Sequence, residues 1–178
     1  MRRVLLALLP LAFLLCTAQP ARSQEQRKSP HEKVTVTVGG ATITVDYGRP
    51  YMKGRKIFGG LEPYGKVWRT GADEATTFTT DKDLMLGSLH VPAGTYALFT
   101  IPGEKEWTII LNKVAETFGA FDYEKNKAQD LGRIKAPVEK LSTPIEQLTI
   151  SILSKGGSNG ALRIVWADVS VTAPIMVH

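Results

Sequence analysis

The sequence has almost no cysteine. Its one cysteine, Cys16, lies in an apolar N-terminal stretch that reads MRRVLLALLPLAFLLCTAQPARSQ. In this stretch two arginines precede an apolar run from Val4 to Leu15, and small residues follow, which is the pattern of a secretory signal peptide. We therefore predict a signal peptide of residues 1–23 and export to the periplasm or the extracellular space. After its removal the mature chain has no thiol and can form no disulfide.

The N-terminus leaves two alternatives open. Cleavage before Gln19 instead of Gln24 would also follow a small-x-small triplet, Cys16-Thr17-Ala18. A lipid anchor on Cys16 is disfavoured, because Leu15 stands where a lipoprotein site needs a small residue. The apolar run is too short to span a bilayer comfortably, so we expect no stable membrane insertion.

A large excess of positive charge is also absent from the predicted mature chain. The full sequence has 22 Lys and Arg against 17 Asp and Glu, and the signal peptide contributes Arg2, Arg3, Arg22 and no acid. Removing these three arginines leaves 19 basic against 17 acidic side chains, a net charge of +2. Such a balance does not support a general electrostatic grip on nucleic acid or on an anionic membrane.

Histidine is scarce, and this excludes several kinds of catalytic site. Of the three histidines, only His90 lies inside the predicted folded region, since His31 precedes it and His178 is the last residue. Zinc, copper and haem sites draw on His and Cys ligands at close spacing, so we predict no such metal and no cofactor. A site built from carboxylates alone stays open. No serine stands in a Gly-x-Ser-x-Gly turn, and no glycine-rich loop opens a helix for a nucleotide phosphate.

Long helical patterns are missing, and alternating strand patterns replace them. Polar residues 24–32 predict a flexible tether. From Lys33 the sequence KVTVTVGGATITVDY alternates apolar and polar residues around Gly39-Gly40, which predicts a β-hairpin. Further strands are predicted near residues 75–80, 83–113, 132–139, 147–153, 161–167 and 169–177, with a helical turn or an ordered loop at 113–130.

About nine or ten short strands in one chain of this size indicate an all-β fold. We predict a single antiparallel β-sandwich or jelly-roll-like domain over residues 33–178. Trp107 and Trp166 lie in strand patterns and are expected in its core. Tyr96 and Phe99 are an odd number of residues apart on one strand, so we expect them on opposite faces.

One segment has neither a strand nor a helix period. It runs from Arg49 to Thr76, reads RPYMKGRKIFGGLEPYGKVWRTGADEAT, and is called the crossing below. It combines six cations, three acids, two tyrosines, one tryptophan and five glycines. Irregular connections of this length inside a compact domain are often functional.

The crossing, together with VPAGTYALFTIPG and WTIILNK further along, resembles a bacterial secreted family known as domain of unknown function 2911. The resemblance extends from Lys33 to Leu153. It implies export and a single compact domain, and it implies no particular reaction. The family pattern has Asn where this chain has Asp73, which replaces an amide donor with an acid.

The residues of the crossing favour a binding protein over an enzyme. Arginine suits bidentate recognition of carboxylate or phosphate, and aromatic rings suit stacking on sugars. We therefore predict a pocket for a small anionic or glycan ligand. Its candidate residues are Arg49, Lys53, Arg55, Tyr64, Trp68, Arg69, Asp73 and Glu74.

Two other hypotheses use the same residues. In the first, Arg69 pairs with Asp73 or Glu74 while Phe58 and Trp68 are buried, so that the crossing is an internal lock in a structural or partner-binding envelope protein. In the second, the protein is a hydrolase or lyase with Glu74 or Asp73 as its base and Glu62 as a possible second carboxyl. The sequence identifies no protein partner.

Overall fold

The computed structural model describes residues 29–117 and 122–178 as an all-β chain, as predicted. The predicted signal peptide and residues 24–28 of the predicted tether lie outside this description. Helix α1 is Tyr123–Asn126, followed by a 3₁₀ turn at Lys127–Gln129, so the predicted helical turn is confirmed. The strands are β1 His31–Val38, β2 Ala41–Gly48, β3 Thr77–Thr80, β4 Leu84–Leu86, β5 Leu89–Val91, β6 Gly94–Ile101, β7 Glu106–Asn112, β8 Asp130–Ser154 and β9 Asn159–Val177.

The predicted hairpin is the pair β1 and β2. Val38 pairs with Ala41 across a turn in which Gly39 and Gly40 have φ of +56° and +77°. Both values lie in the left-handed region, which glycine adopts without a steric penalty. The first strand begins at His31 rather than at the predicted Lys33, because His31 pairs with Gly48 and its ring bonds the Asp46 carboxylate.

The nine strands form one antiparallel sheet in the order β1-β2-β3-β6-β7-β8-β9-β4-β5. Strand β8 joins the two halves of this sheet, because residues 130–137 pair with β7 and residues 138–154 pair with β9. Buried side chains from both halves, including Val45, Leu98, Ile150 and Ile164, belong to one core. The two halves therefore close on each other as a sandwich-like domain.

The sequence predicted four separate strands after residue 130, and this prediction was wrong. Two long strands, β8 and β9, replace them. From Lys140 to Thr149 strand β8 advances nine residues, while its partner advances only four, from Val169 to Val165. The excess residues of β8 are accommodated in bulges, and Ala167 of β9, opposite them, has φ of +51°. Bulges and bends distort a strand without ending its pairing.

Tyr47 of β2 ties the two halves of the sheet together. Its hydroxyl accepts a hydrogen bond from the Ile150 amide of β8 at 2.9 Å and lies 3.2 Å from the Glu32 carboxylate. Burial raises the pKa of the Tyr47 phenol to about 12. The hydroxyl therefore keeps its proton at physiological pH and can donate and accept at the same time.

Four aromatic rings fill one end of the core. Phe58 and Trp68 enter from the crossing and meet Trp107 of β7 and Trp166 of β9, and each of the four is at most 5% exposed. Their ring centroids lie 4.7–6.1 Å apart, mostly edge to face, with Trp68 and Trp166 stacked. We call these residues the aromatic cluster. The core positions predicted for Trp107 and Trp166 are confirmed.

A second, smaller apolar cluster covers the outer face of the sheet. Phe99 and Ile110 pack there with Ala75 and Tyr123, whereas Tyr96 belongs to the main core, so the predicted opposite faces are confirmed. The Tyr123 hydroxyl bonds the Asp130 carboxylate at 2.8 Å, and this contact fixes α1 against the sheet.

Replacing Trp68 with alanine should destabilise the fold strongly. The change leaves a cavity in the aromatic cluster, and such truncations cost about 3–5 kcal/mol. Urea denaturation of Trp68→Ala should therefore show a much lower midpoint than wild type. Leu61→Ala is the matched control within the crossing, since Leu61 is 44% exposed. Equal midpoints for the two variants would contradict the assignment of Trp68 to the core.

Candidate functional site

The crossing begins as an added strand along β8. The Leu148 amide donates to Pro50 O at 3.0 Å, and the Met52 amide donates to Glu146 O at 2.7 Å. Tyr51 stands opposite Gln147 in an antiparallel bridge. The first residues of the crossing are therefore held to the sheet by backbone hydrogen bonds.

Arg49 also holds the crossing to β8. Its Nε donates to Leu148 O and its Nη2 to Thr149 Oγ1, each at 3.0 Å. Its Nη1 lies 2.5 Å from a carboxylate oxygen of Glu32. Three acceptors from β1 and β8 thus surround the guanidinium that the sequence assigned to ligand binding.

Arg55 and Lys53 also have local partners. Arg55 Nε donates to Met52 O at 2.9 Å and its Nη2 donates to Tyr51 O at 2.7 Å, so the guanidinium closes a turn of its own segment. Lys53 has φ of +49° in this turn, and its backbone amide donates to a Glu146 carboxylate oxygen at 2.8 Å. Arg55 nevertheless stays exposed to solvent on its outer side.

The second half of the crossing runs along β6. Trp68 and Thr100 exchange two backbone hydrogen bonds of 2.7 and 2.9 Å, and the Gly65 amide donates to Pro102 O at 2.9 Å. This pairing directs the Trp68 ring into the aromatic cluster, which is the position that the internal-lock hypothesis gave it and not a position in a ligand pocket. Tyr64 is 36% exposed, and its ring lies against Gly59.

The loop from Thr70 to Ala75 packs closely on the end of β2. A Cβ atom on Gly48 would lie 2.1 Å from Ala72 O, so only glycine fits there. Asp73 has φ of +64°, and its Oδ2 accepts a hydrogen bond from the Ser29 amide at 3.2 Å. Asn and Asp both tolerate this left-handed conformation better than other side chains. An aspartate can therefore replace an asparagine here without changing the backbone.

Glu62 is a partly buried carboxyl of the crossing with a guanidinium group, that of Arg69, nearby. A bridge to Phe58 and a backbone bond from the Gly59 amide at 2.9 Å hold Glu62 at the entrance to the aromatic cluster. Burial raises the pKa of its carboxyl to about 7, against the opposing attraction of the Arg69 and Arg55 guanidinium groups. The Nε of Arg69 is buried and has no hydrogen-bond partner among the described residues.

The structure thus divides the eight predicted site residues. Arg49 and Trp68 face the sheet and the core, Lys53 and Arg55 shape a turn, and Asp73 holds the Ser29 backbone. Glu74 is half-buried in the loop that includes Asp73. Of the eight, Arg69 and Tyr64 are left as candidates for ligand binding. The charge of Arg69 acts on the carboxyl of Glu62, which the sequence analysis named only as a possible second carboxyl of an enzyme. What distinguishes Glu62 is its burial in the folded structure, and the local sequence pattern does not show burial.

Across residues 29–117 and 122–178, no three His, Cys, Asp or Glu side chains are grouped so that they could hold a metal ion. No helix in these two ranges has the length and apolar character needed to cross a membrane.

The chain matches the model of the family described as "Protein of unknown function (DUF2911)" over residues 29–175. It therefore belongs to this family, which confirms the resemblance seen in the sequence and extends it at both ends. Comparisons with curated proteins and with solved structures return no match.

The raised pKa of Glu62 predicts a pH-dependent contribution to stability. A carboxyl whose pKa is about 7 when folded and 4.5 when unfolded binds a proton more tightly in the fold. Its contribution is therefore most favourable below pH 4.5, decreases between pH 4.5 and 7, and is constant above. Since Glu62 is partly open to solvent, we expect a change of about 1–2 kcal/mol.

Glu62→Gln should remove this dependence, because the amide mimics the protonated acid. The free energy of unfolding of the variant, relative to wild type, should rise by about 1–2 kcal/mol between acidic and mildly alkaline pH. Urea denaturation across this range measures it. Glu139→Gln, an exposed acid on β8, is the control and should show no such trend. If the free energies of unfolding of wild type and Glu62→Gln changed in parallel with pH, the raised pKa of the Glu62 carboxyl would be contradicted.

Proposed function

We propose that this DUF2911 protein is an exported binding protein that takes a small anionic ligand, a carboxylate or an acidic sugar, at Arg69 and Glu62. The supporting observation is the buried Nε of Arg69, which lacks a hydrogen-bond acceptor among the described residues. A buried donor without a partner costs about 1–3 kcal/mol, more when it is charged. A carboxylate bound at the half-buried Arg69 guanidinium would form a charge-assisted hydrogen bond and offset this cost.

In this proposal Glu62 makes ligand binding dependent on pH. With a pKa of about 7, its carboxyl is largely protonated in mildly acidic solution and can then donate a hydrogen bond. The protonated site has the positive charge of Arg69 without a compensating negative charge on Glu62. The exposed ring of Tyr64, which lies against Gly59, offers a flat surface for the face of a sugar.

The crossing also supports a second candidate, a structural role in the cell envelope. The three polar contacts of Arg49 and the burial of Phe58 and Trp68 favour an internal brace. The two roles use different residues, so a brace made by Arg49, Phe58 and Trp68 is compatible with a binding site at Glu62, Tyr64 and Arg69. A hydrolase or lyase with Asp73 or Glu74 as base stays a prediction.

Arg69→Gln should abolish binding of small acids while the domain stays folded. A thermal-shift screen with succinate, citrate, glucuronate and galacturonate at millimolar concentration should identify at least one acid that raises the melting temperature of wild type. Titration calorimetry then gives its affinity. Loss of one charge-assisted hydrogen bond should weaken that affinity by about tenfold or more.

Two variants make the test specific. Lys66→Gln removes an exposed cation of the same segment and should keep the affinity. Glu62→Gln should bind about equally at pH 5.5 and 8.5, whereas wild type should bind more weakly at the higher pH, because the carboxylate repels an anion. A panel without any stabilising acid, or an acid that binds Arg69→Gln as tightly as wild type, would contradict the proposed site.

The export in this proposal is predicted from residues 1–23 of the sequence, which lie outside the described part of the chain. When the full chain is expressed in a Gram-negative host, we expect it in the periplasmic fraction with Gln24 as its first residue. Intact-mass spectrometry of that fraction measures the processed length. Replacing Leu8 and Leu9 with arginine would interrupt the apolar run and should keep the unprocessed chain in the cytoplasm. An unprocessed wild-type chain in the cytoplasm would contradict export.

A further inference from the structure

The bulge of β8 creates a groove on the outer face of the β8–β9 pair. Because β8 has nine residue steps where β9 has four, its residues 141–144 have no partner in β9, whereas Ile145 pairs with Ala167. Four residues of this stretch are Leu141, Ser142, Thr143 and Ile145. They form one wall of a concave space of about 360 Å³. Small-molecule sites in proteins commonly have volumes of about 300–1,000 Å³.

The lining of the groove is apolar with a row of hydroxyl groups. Leu141, Ile145, Leu153 and Val165 supply the apolar surface, and Ile145 and Leu153 are each 37% exposed to solvent. The hydroxyl groups come from Ser142, Thr143, Thr149 and Ser151. An apolar chain placed here would remove exposed Ile and Leu surface from water, which favours binding.

Among the described residues that line the groove, Arg163 is the one that carries a charge. It stands opposite Ser151 in the β8–β9 pair, and its Nε donates to Ser170 Oγ at 3.0 Å. Ser170 is fully buried, so this bond fixes the guanidinium from below. Within the described residues, the two Nη groups of Arg163 have no hydrogen-bond partner. They retain the planar pair of donors that suits a carboxylate.

We infer that this groove is a second binding site, for a monocarboxylate with a short unbranched apolar chain. The Nη groups of Arg163 bind the carboxylate, and the chain lies along Val165, Leu153 and Ile145. The site lies on β8 and β9 and shares no residue with the site at Arg69 and Glu62. It therefore does not depend on the proposed function.

Sodium octanoate is the probe for this inference. Titration calorimetry on the wild-type protein should show saturable binding, and the backbone amide NMR signals of Thr149, Ser151 and Val165 should shift on addition of octanoate. Octan-1-ol and octylammonium, which lack the carboxylate, should bind at least about tenfold more weakly, because they cannot form the charge-assisted bond. Acetate, which lacks the chain, should leave these three amide signals unmoved.

Two variants locate the site. Arg163→Gln should weaken octanoate binding by about tenfold or more, and Ser151→Phe should abolish it by filling the groove. Lys155→Gln, in the exposed turn between β8 and β9, should keep wild-type affinity. The inference is overturned if Arg163→Gln binds octanoate as tightly as wild type, if octan-1-ol binds equally well, or if millimolar octanoate leaves the three amide signals unmoved. If Arg163→Gln does not fold, the affinity for octan-1-ol and the octanoate affinity of Ser151→Phe still test the inference.

Discussion

The contact between Phe58, Trp68, Trp107 and Trp166 is the interaction on which the rest of this structure depends. Two of these rings come from the strands and two from the crossing, so the main core is complete only when the crossing is in place. With no cysteine after Cys16, the fold is held by burial and hydrogen bonding alone. The long connection between β2 and β3 is therefore part of the core at one end of the sandwich.

The need to place Phe58 and Trp68 in the core explains why some charged residues of the crossing bind the backbone and others do not. Inserting Phe58 and Trp68 requires the segment to run first along β8 and then along β6, and Arg49 and Arg55 stabilise that path by binding backbone carbonyls. Glu62 lies where the path turns between these two edges, and Arg69 follows directly on the stretch that pairs with β6. Their carboxyl and guanidinium are partly withdrawn from water, which raises the pKa of Glu62 and leaves Arg69 Nε without an acceptor among the described residues.

Local patterns predicted much of the fold. The alternation around Gly39-Gly40 predicted the first hairpin and its turn, and the strand patterns around Trp107 and Trp166 predicted core positions. The merging of four predicted strands into β8 and β9 depends on long-range pairing around the bulge, which no local pattern contains. For the same reason the pairing of Trp68 with Thr100 and the burial of Glu62 were not predicted, although the residue types of the crossing had indicated a site there.

The most direct test of this account is native-state hydrogen exchange at Trp68. Its amide donates to Thr100 O at 2.7 Å, and its indole Nε1 donates to Gly71 O at 3.1 Å inside the core. If the crossing belongs to the core, both protons should exchange only through global unfolding, with the same free energy as core strands such as β6 and β7. Exchange of the Trp68 protons at a much lower free energy, while those strands stay protected, would show that the crossing opens on its own and would contradict the account.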